Sequence, residues 1–378
     1  MEIERIIKSE IHDQIKQDTN KIIIVFGARQ VGKTTLINSI TNELALKTIW
    51  INADRINYQD VLSSRDLNKI LSLVDGYELL VIDEAQRIPD IGINLKIIHD
   101  EIKTLKVIVT GSSSFDLAQK VTEPLTGRKK VFKLFPLSLK EISEHIGRFN
   151  ANDKIEELLV YGSYPEVYNL NNLKDKLDAL IEIGYSYLYK DIIEIVNIKF
   201  TSKISDLLKL LSFQLGSEVS INELSKNLGI SRDSVEKYLE VLEKAFIIFR
   251  ISGFSRNLRK EVSKMDKFYF YDSGIRNLVI NNFNPVNLRN DLGQLWENFI
   301  ISERMKKLSY ENDYSSSYFW RTYTGAELDY LEEKNNILSG YEIKYGKKKF
   351  KAPKTWQDTY PNSTYTLINK DNYTDFVC

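Results

Sequence analysis

Residues 27–34 read GARQVGKT, which satisfies G-x-x-x-x-G-K-[ST] at every position. An apolar run, KIIIVF, leads into this loop, and the helical pattern TTLINSITNEL leads out of it. Strand, glycine loop and helix in that order make a phosphate-binding loop, because backbone N–H groups turn inward onto phosphate oxygens at the positive end of the helix. Gly27 and Gly32 permit the turn, Lys33 supplies a point charge, and the Thr34 hydroxyl reaches magnesium. Ala28, Arg29, Gln30, Val31 and Thr35 complete the stretch in contact with nucleotide.

Such a loop needs a buried parallel sheet behind it, and the next hundred residues supply one. Apolar runs recur as TIWIN, YELLVID, LKVIVTG and KKVFKLF, mostly separated by helical segments. Strands buried on both faces and alternating with helices predict an α/β fold with a parallel sheet. YELLVID ends in acid, so Asp83 is the expected magnesium partner and Glu84 the residue that polarises attacking water, a pairing that favours hydrolysis over kinase chemistry. After the following strand, Thr110, Ser112 or Ser113 would sense the terminal phosphate. Phosphoryl transfer also needs a cation, and Arg128 is the candidate, from its own chain or toward a neighbouring copy.

Composition sets outer bounds. The chain has 378 residues, enough for two or three domains. It carries 52 basic and 52 acidic residues, which excludes a histone-like polycation. A single cysteine, Cys378, and three scattered histidines offer neither a disulfide nor a zinc site. No apolar run reaches membrane-spanning length and no signal-peptide core opens the chain, so the expectation is a cytoplasmic protein without membrane contact. Changes in pattern divide it into residues 1–148, 149–270 and 271–378.

Residues 20–145 resemble an AAA-type ATPase. GARQVGKTT, DEAQRIPD, TGSSS and LTGRKKVFKLFPLSLKEI resemble one bacterial and archaeal group of these, and so do YGSYPEV and WRTYTGAELDY further on. Members of that group carry a C-terminal half of unknown function. The resemblance implies the five-strand core order of such ATPases, with ATP as the nucleotide and Mg²⁺ beside it.

Residues 219–252 resemble a winged helix-turn-helix: INELSKNL, Gly229, a second helix after Ser231, then the strand FIIFRI. The second helix carries three cations, Arg232, Lys237 and Lys244, against four acids, which suits DNA poorly. Residues 250–267 suit it better, with Arg250, Arg256, Arg259, Lys260, Lys264 and Lys267 against two acids.

The segment GAELDYLEEKNNILSGYEIKYGKKKFK reads as a hairpin. A turn at Asn335-Asn336 sets Asp329 opposite Glu342, and Lys344 lies two residues along on the same face. Two facing carboxylates with a lysine beside them suit a divalent metal and an activated water. Glu297, in the helical segment LGQLWENFIISERM, adds a third acid. This resembles the PD-(D/E)xK nuclease superfamily, which implies metal at Asp329 and Glu342 and catalytic roles for Glu297 and Lys344. Lys347, Lys348, Lys349, Lys351 and Lys354, with Tyr345 and Trp356 interleaved, would meet a phosphate backbone. The expected whole is a P-loop ATPase sheet, a helical and winged-helix region, and an α/β nuclease-like domain, with nucleotide, DNA and further copies of the chain as partners. The alternative from another class is a nucleotide-dependent protein-interaction switch whose nuclease-like domain is inactive.

Overall fold

The structure is a computed structural model that describes residues 3–17, 19–111, 125–184, 201–256, 265–346 and 351–378. It divides into two compact units. The first comprises the chain up to Phe135 with Lys244–Phe246; the second comprises Pro136–Glu243 and Ile247–Cys378.

The first unit is built on β1 (Ile22–Phe26), β2 (Thr48–Asn52), β3 (Leu79–Asp83), β4 (Lys106–Gly111) and β5 (Lys129–Lys133). All pair in parallel in the order β2-β3-β4-β1-β5. The central strands are apolar on both sides because helices cover both faces: every residue of β1 is buried, as are Leu79–Ile82 of β3. Helix Ile7–Lys16 buries Ile7, Ile11 and Ile15 at helical spacing. Strand β1 ends where Gly27 is required, since a Cβ there would lie 2.2 Å from the Leu134 carbonyl oxygen.

In the second unit one sheet of seven strands runs from end to end. Its members are β6 (Glu218–Val219), β7 (Ile248–Gly253), β8 (Asp266–Phe270), β9 (Ser316–Arg321), β10 (Glu327–Lys334), β11 (Ile337–Ile343) and β12 (Thr364–Ile368), ordered β12-β11-β10-β9-β7-β8-β6. The two helices expected after residue 219 form as Ile221–Leu228 and Arg232–Lys244, with Gly229 at φ +65° closing the first. Their strands do not stand apart as a wing, however: β7 pairs in parallel with β9. The expected boundary at residue 270 is therefore corrected. Backbone hydrogen bonds run across it, and sequence patterning marks where strands are but not which distant strand they join.

Helix Leu292–Tyr310 packs against β8 and β11. Against the hairpin, Trp320 of β9 and Trp356 of helix Lys354–Thr359 form a core cluster with Leu328, Leu331 and Leu338, the two indoles edge-on at 5.1 Å. Gly340 leaves room for this cluster: a Cβ would sit 2.6 Å from Leu328 Cδ1, so that side chain would have to move. The YGSYPEV segment is accounted for by packing. Buried Asp272 accepts hydrogen bonds from Ser163 N (2.7 Å) and Ile275 N (3.1 Å), and a Cβ on Gly162 would collide with its carboxylate. Burial raises the Asp272 pKa, and those N–H donors with nearby Lys306 oppose the rise. Among the described residues, no helix is long and apolar enough to cross a membrane.

Candidate nucleotide site and a second charged cluster

Strands β1, β3 and β4 end on one edge of the parallel sheet, with Phe26 opposite Gly111 and Ile82 opposite Val109. Ligands of open α/β sheets bind at that carboxyl edge, and the expected residues meet there. Gly32 caps helix Lys33–Leu44 in a left-handed conformation, φ +93°, which a side chain would strain. Lys33 is buried and folds back over the loop, donating from Nζ to the carbonyls of Ala28 (2.8 Å) and Gly27 (3.0 Å). Thr34 Oγ1 donates to Asp83 Oδ2 at 3.1 Å, and Thr110 Oγ1 donates to Asp83 Oδ1. Glu84 follows in a left-handed conformation, φ +55°; its N–H donates to Thr110 Oγ1 at 3.4 Å and its carboxylate accepts from Gln86. Of the three candidates at the end of β4, Thr110, within the strand, thus joins the site, while Ser112 and Ser113 lie outside the described residues.

Arg128 requires a correction. Its carbonyl accepts from Ile22 N at 2.9 Å, which places it beside the first residue of β1. The loop begins after the last, about 16 Å away at strand rise. The guanidinium is bidentate on Asp100, at 2.8 and 3.1 Å. Those hydrogen bonds, with a further one from His99, hold the Asp100 carboxyl well below the usual range. Arg128 therefore does not serve the loop of its own chain. Sequence order put it just before β5, and parallel pairing then sent it to the far edge.

Sequence reasoning missed Arg5. This buried side chain donates to the carbonyls of Val31 (2.7 Å) and Phe135 (2.6 Å), so it lies directly behind the loop. A lone arginine in an isoleucine-patterned helical segment looks like any solvated charge, and nothing in the spacing marks it.

In the second unit the β10–β11 ladder pairs Lys334 with Ile337 through to Tyr330 with Tyr341, unbroken. The next pair in that register is Asp329 with Glu342, as the turn requires. The sheet's irregularity lies instead between β9 and β10, at Leu328/Leu331, where a bulge can re-aim the Asp329 side chain. Asp329 Oδ2 accepts from Ile343 N (2.8 Å) and from Lys344 Nζ (3.1 Å), and Lys344 also pairs with Glu342 Oε1 at 2.8 Å. Glu297 faces the same group from the long helix, accepting from Tyr269 O–H at 2.7 Å. Burial pushes its pKa up to about 7; Lys267 opposes this and Asp329 adds to it. Burial and Asp329 likewise raise Glu342, against the pull of Lys344. Burial works against the Lys344 charge, but Asp329 and Glu342 outweigh it and hold the ammonium protonated above the usual lysine range. Lys267 was expected on a DNA-facing surface and Tyr269 went unnoticed, although alternation in DKFYF puts both on one face.

This cluster does not fit a divalent metal well. Among the described residues no group of three or more His, Cys, Asp or Glu side chains is arranged to hold one. The Lys344 ammonium contacts both carboxylates that would be ligands.

The expected basic surfaces also need correcting. Arg250 pairs with Glu236, Glu243 and Asp266, Arg256 pairs with Glu333, and Lys267 is buried over the Phe319 ring. Charge counting along the chain does not see such pairing. Trp356 is fully buried in the core and Tyr345 packs edge-on against Trp296, so neither stands free to stack on a base. Lys351 and Lys354 are exposed; Arg259, Lys260, Lys264, Lys347, Lys348 and Lys349 lie outside the described residues.

Comparison with known proteins follows this division. Residues 19–143 match an AAA domain model. The first unit has the P-loop ATPase fold. Residues 152–286 and 292–375 match two models described only as domains of unknown function. Over most of the chain, an uncharacterised protein of Mycobacterium tuberculosis is 27% identical over 328 residues, covering 85% of this chain and 70% of that one. An uncharacterised protein of Methanocaldococcus jannaschii is 25% identical over 356 residues, covering 87% and 77%. Among solved structures, a Walker-type ATPase of Pyrococcus abyssi aligns with TM-score 0.50 and 15% identity, over 72% of this chain and 95% of that one.

Proposed function

We propose that the protein is a magnesium-dependent ATP hydrolase whose second unit is a nucleic-acid-binding module with a nuclease-like site. The observation that carries the first part is the Asp83 carboxylate, shared between the hydroxyls of Thr34 and Thr110 beside the buried Lys33. Thr34 and Asp83 are hard oxygen donors that suit magnesium, which would neutralise phosphate charge there. Lys33 exchanges backbone carbonyls for phosphate oxygens, and the Gly32 turn aims N–H groups at them. Glu84 orients and deprotonates the attacking water, and Thr110 holds the Asp83–Glu84 corner. Arg128 is left to serve the nucleotide of a neighbouring copy.

Convergence of Asp329, Glu342 and Lys344 supports the nuclease-like reading of the second unit, and exposed Lys351 and Lys354 give phosphates somewhere to bind. Binding is favoured over cleavage because Lys344 already compensates both carboxylates. The test is phosphate release from ATP with and without duplex DNA. Glu84→Gln should keep ATP binding and lose about 10²–10⁴-fold in turnover, whereas Lys33→Ala should lose affinity. Wild-type turnover in Glu84→Gln would remove Glu84 as the base. DNA retention should fall steeply with salt, and a flat salt response would move the second unit to protein partners.

A further inference from the structure

Arg5 stands outside every nucleotide-binding motif, yet it touches the phosphate-binding loop from behind. Its guanidinium donates to Val31 O at 2.7 Å and to Phe135 O at 2.6 Å, and the side chain is almost wholly buried. Val31 O belongs to the peptide that joins Val31 to Gly32. In a planar trans peptide the C=O and the next N–H point in opposite directions. Drawing the Val31 carbonyl toward Arg5 therefore turns the Gly32 N–H the other way, out of the loop's back and toward the phosphate side.

That peptide needs an anchor. Gly32 has no side chain to resist a flip, and its φ of +93° is one of several conformations open to glycine. Arginine suits the task, since its rigid fork holds two carbonyls at once and remains charged at any working pH. The second carbonyl ties the loop to the segment leaving β5. Leu134 N donates to Phe26 O at 2.7 Å, and the Leu134 carbonyl fills the space a Cβ on Gly27 would need. Both ends of the loop are thereby fastened to Leu134–Phe135, the first by backbone contact and the second through Arg5.

We propose that Arg5 is a positioning residue for nucleotide binding: it fixes the Val31–Gly32 peptide so that the Gly32 N–H is preset for a phosphate oxygen. This rests on the reading of the loop as an ATP site. Arg5 acts through the Val31–Gly32 peptide, so its effect belongs in affinity for the phosphates and not in a new chemical step.

The experiment compares full-length wild type with Arg5→Ala, Arg5→Lys and Ile11→Ala, titrated with ATP and magnesium below their melting temperatures. Ile11 is fully buried on helix Ile7–Lys16, which starts just after Arg5, and its aliphatic side chain makes no hydrogen bond to the loop, so its truncation reports general loosening. Arg5→Ala should weaken ATP affinity by about tenfold or more, the scale of a lost charge-assisted hydrogen bond to a group that must be held. Arg5→Lys, which reaches one carbonyl at a time, should recover part of the loss. Ile11→Ala should melt at lower temperature with affinity within about twofold of wild type, as expected where packing alone changes. Should Arg5→Ala fail to fold, Arg5→Lys decides alone, and its affinity should still fall measurably below wild type. Wild-type affinity in the Arg5 variants, or an equal loss in Ile11→Ala, overturns the proposal. No ATP binding by wild type would instead overturn the reading of the site on which it rests.

Discussion

Asp83 and Asp329 are both strand carboxylates with a lysine nearby, one in each unit. Asp83 accepts from two neutral hydroxyls, Thr34 and Thr110, while Lys33 donates to the backbone carbonyls of Gly27 and Ala28. Asp329 accepts from a backbone N–H and from the Lys344 ammonium, which also holds Glu342. Hydroxyls leave the charge of a carboxylate in place and can turn to accept or donate, so a cation can join them. An ammonium cancels the charge and must be displaced first, at the cost of breaking a partly buried pair. The same two residue types thus make a carboxylate held by neutral hydroxyls in one unit and a self-compensated cluster in the other.

The largest effect that separates the two is on turnover. Asp83→Asn should lower the ATP hydrolysis rate by about 100-fold or more, since the proposed magnesium partner loses its charge. Asp329→Asn should leave that rate within about twofold, because it lies in the other unit, bonded to Ile343 and Lys344. Steady-state phosphate release measures both. Equal losses would mean that the second cluster belongs to the ATPase chemistry after all.

A smaller effect tests whether the second cluster is as tightly compensated as its geometry indicates. Glu297 has a folded pKa of about 7 against an ordinary 4.5, chiefly from burial. Between those values the folded state keeps a proton that the unfolded chain has released. This stabilisation is complete below pH 4.5, is lost as pH rises to 7, and changes little above. Its full span is roughly 3 kcal/mol, because each tenfold difference in proton affinity between the folded and unfolded chain is worth about 1.4 kcal/mol. Glu297→Gln keeps an acceptor for the Tyr269 hydroxyl and has nothing to titrate, so its urea stability should be flatter from pH 5 to pH 8. If wild type is equally flat, Glu297 is better solvated than its burial implies.

These comparisons also show what a linear sequence can convey. The central strands of the first unit were legible because burial on both faces leaves unbroken apolar runs, and the loop because phosphate chemistry dictates consecutive residues. Asp329, Glu342 and Lys344 were legible because a two-residue turn carries its own register. Residues brought in from far along the chain were not: Arg5 behind the loop, Lys267 and Tyr269 beside Glu297, and β7 against β9 are long-range contacts with no local signature. Arg128 and Arg250 misled for a related reason. Their acids, Asp100 and Glu236, lie 28 and 14 positions away, where counting charge within a window does not pair them.

The smallest expected effect concerns the turn that brings Asp329 and Glu342 together. Asn335 and Asn336 have φ of +51° and +64°, both left-handed, the geometry of a two-residue hairpin turn that follows the twist of its strands. Asparagine tolerates this conformation, and glycine at the second position carries no Cβ to crowd the following carbonyl. Asn336→Gly should therefore stabilise the second unit by roughly 0.5 kcal/mol, while Asn336→Val, branched at Cβ, should destabilise it by roughly 1 kcal/mol. Urea midpoints at unchanged slope would record both shifts. Register makes the turn matter beyond these small energies. The ladder from Lys334–Ile337 to Tyr330–Tyr341 is counted from these two residues, and a slip by one would send Glu342 to the opposite face, away from Lys344. A valine variant that loses more than its local strain, and whose stability no longer changes between pH 5 and pH 8, would show that the turn holds the cluster together. A variant that loses only the local strain would show the ladder fixed instead by the packing of Trp320, Leu328 and Trp356 beneath it.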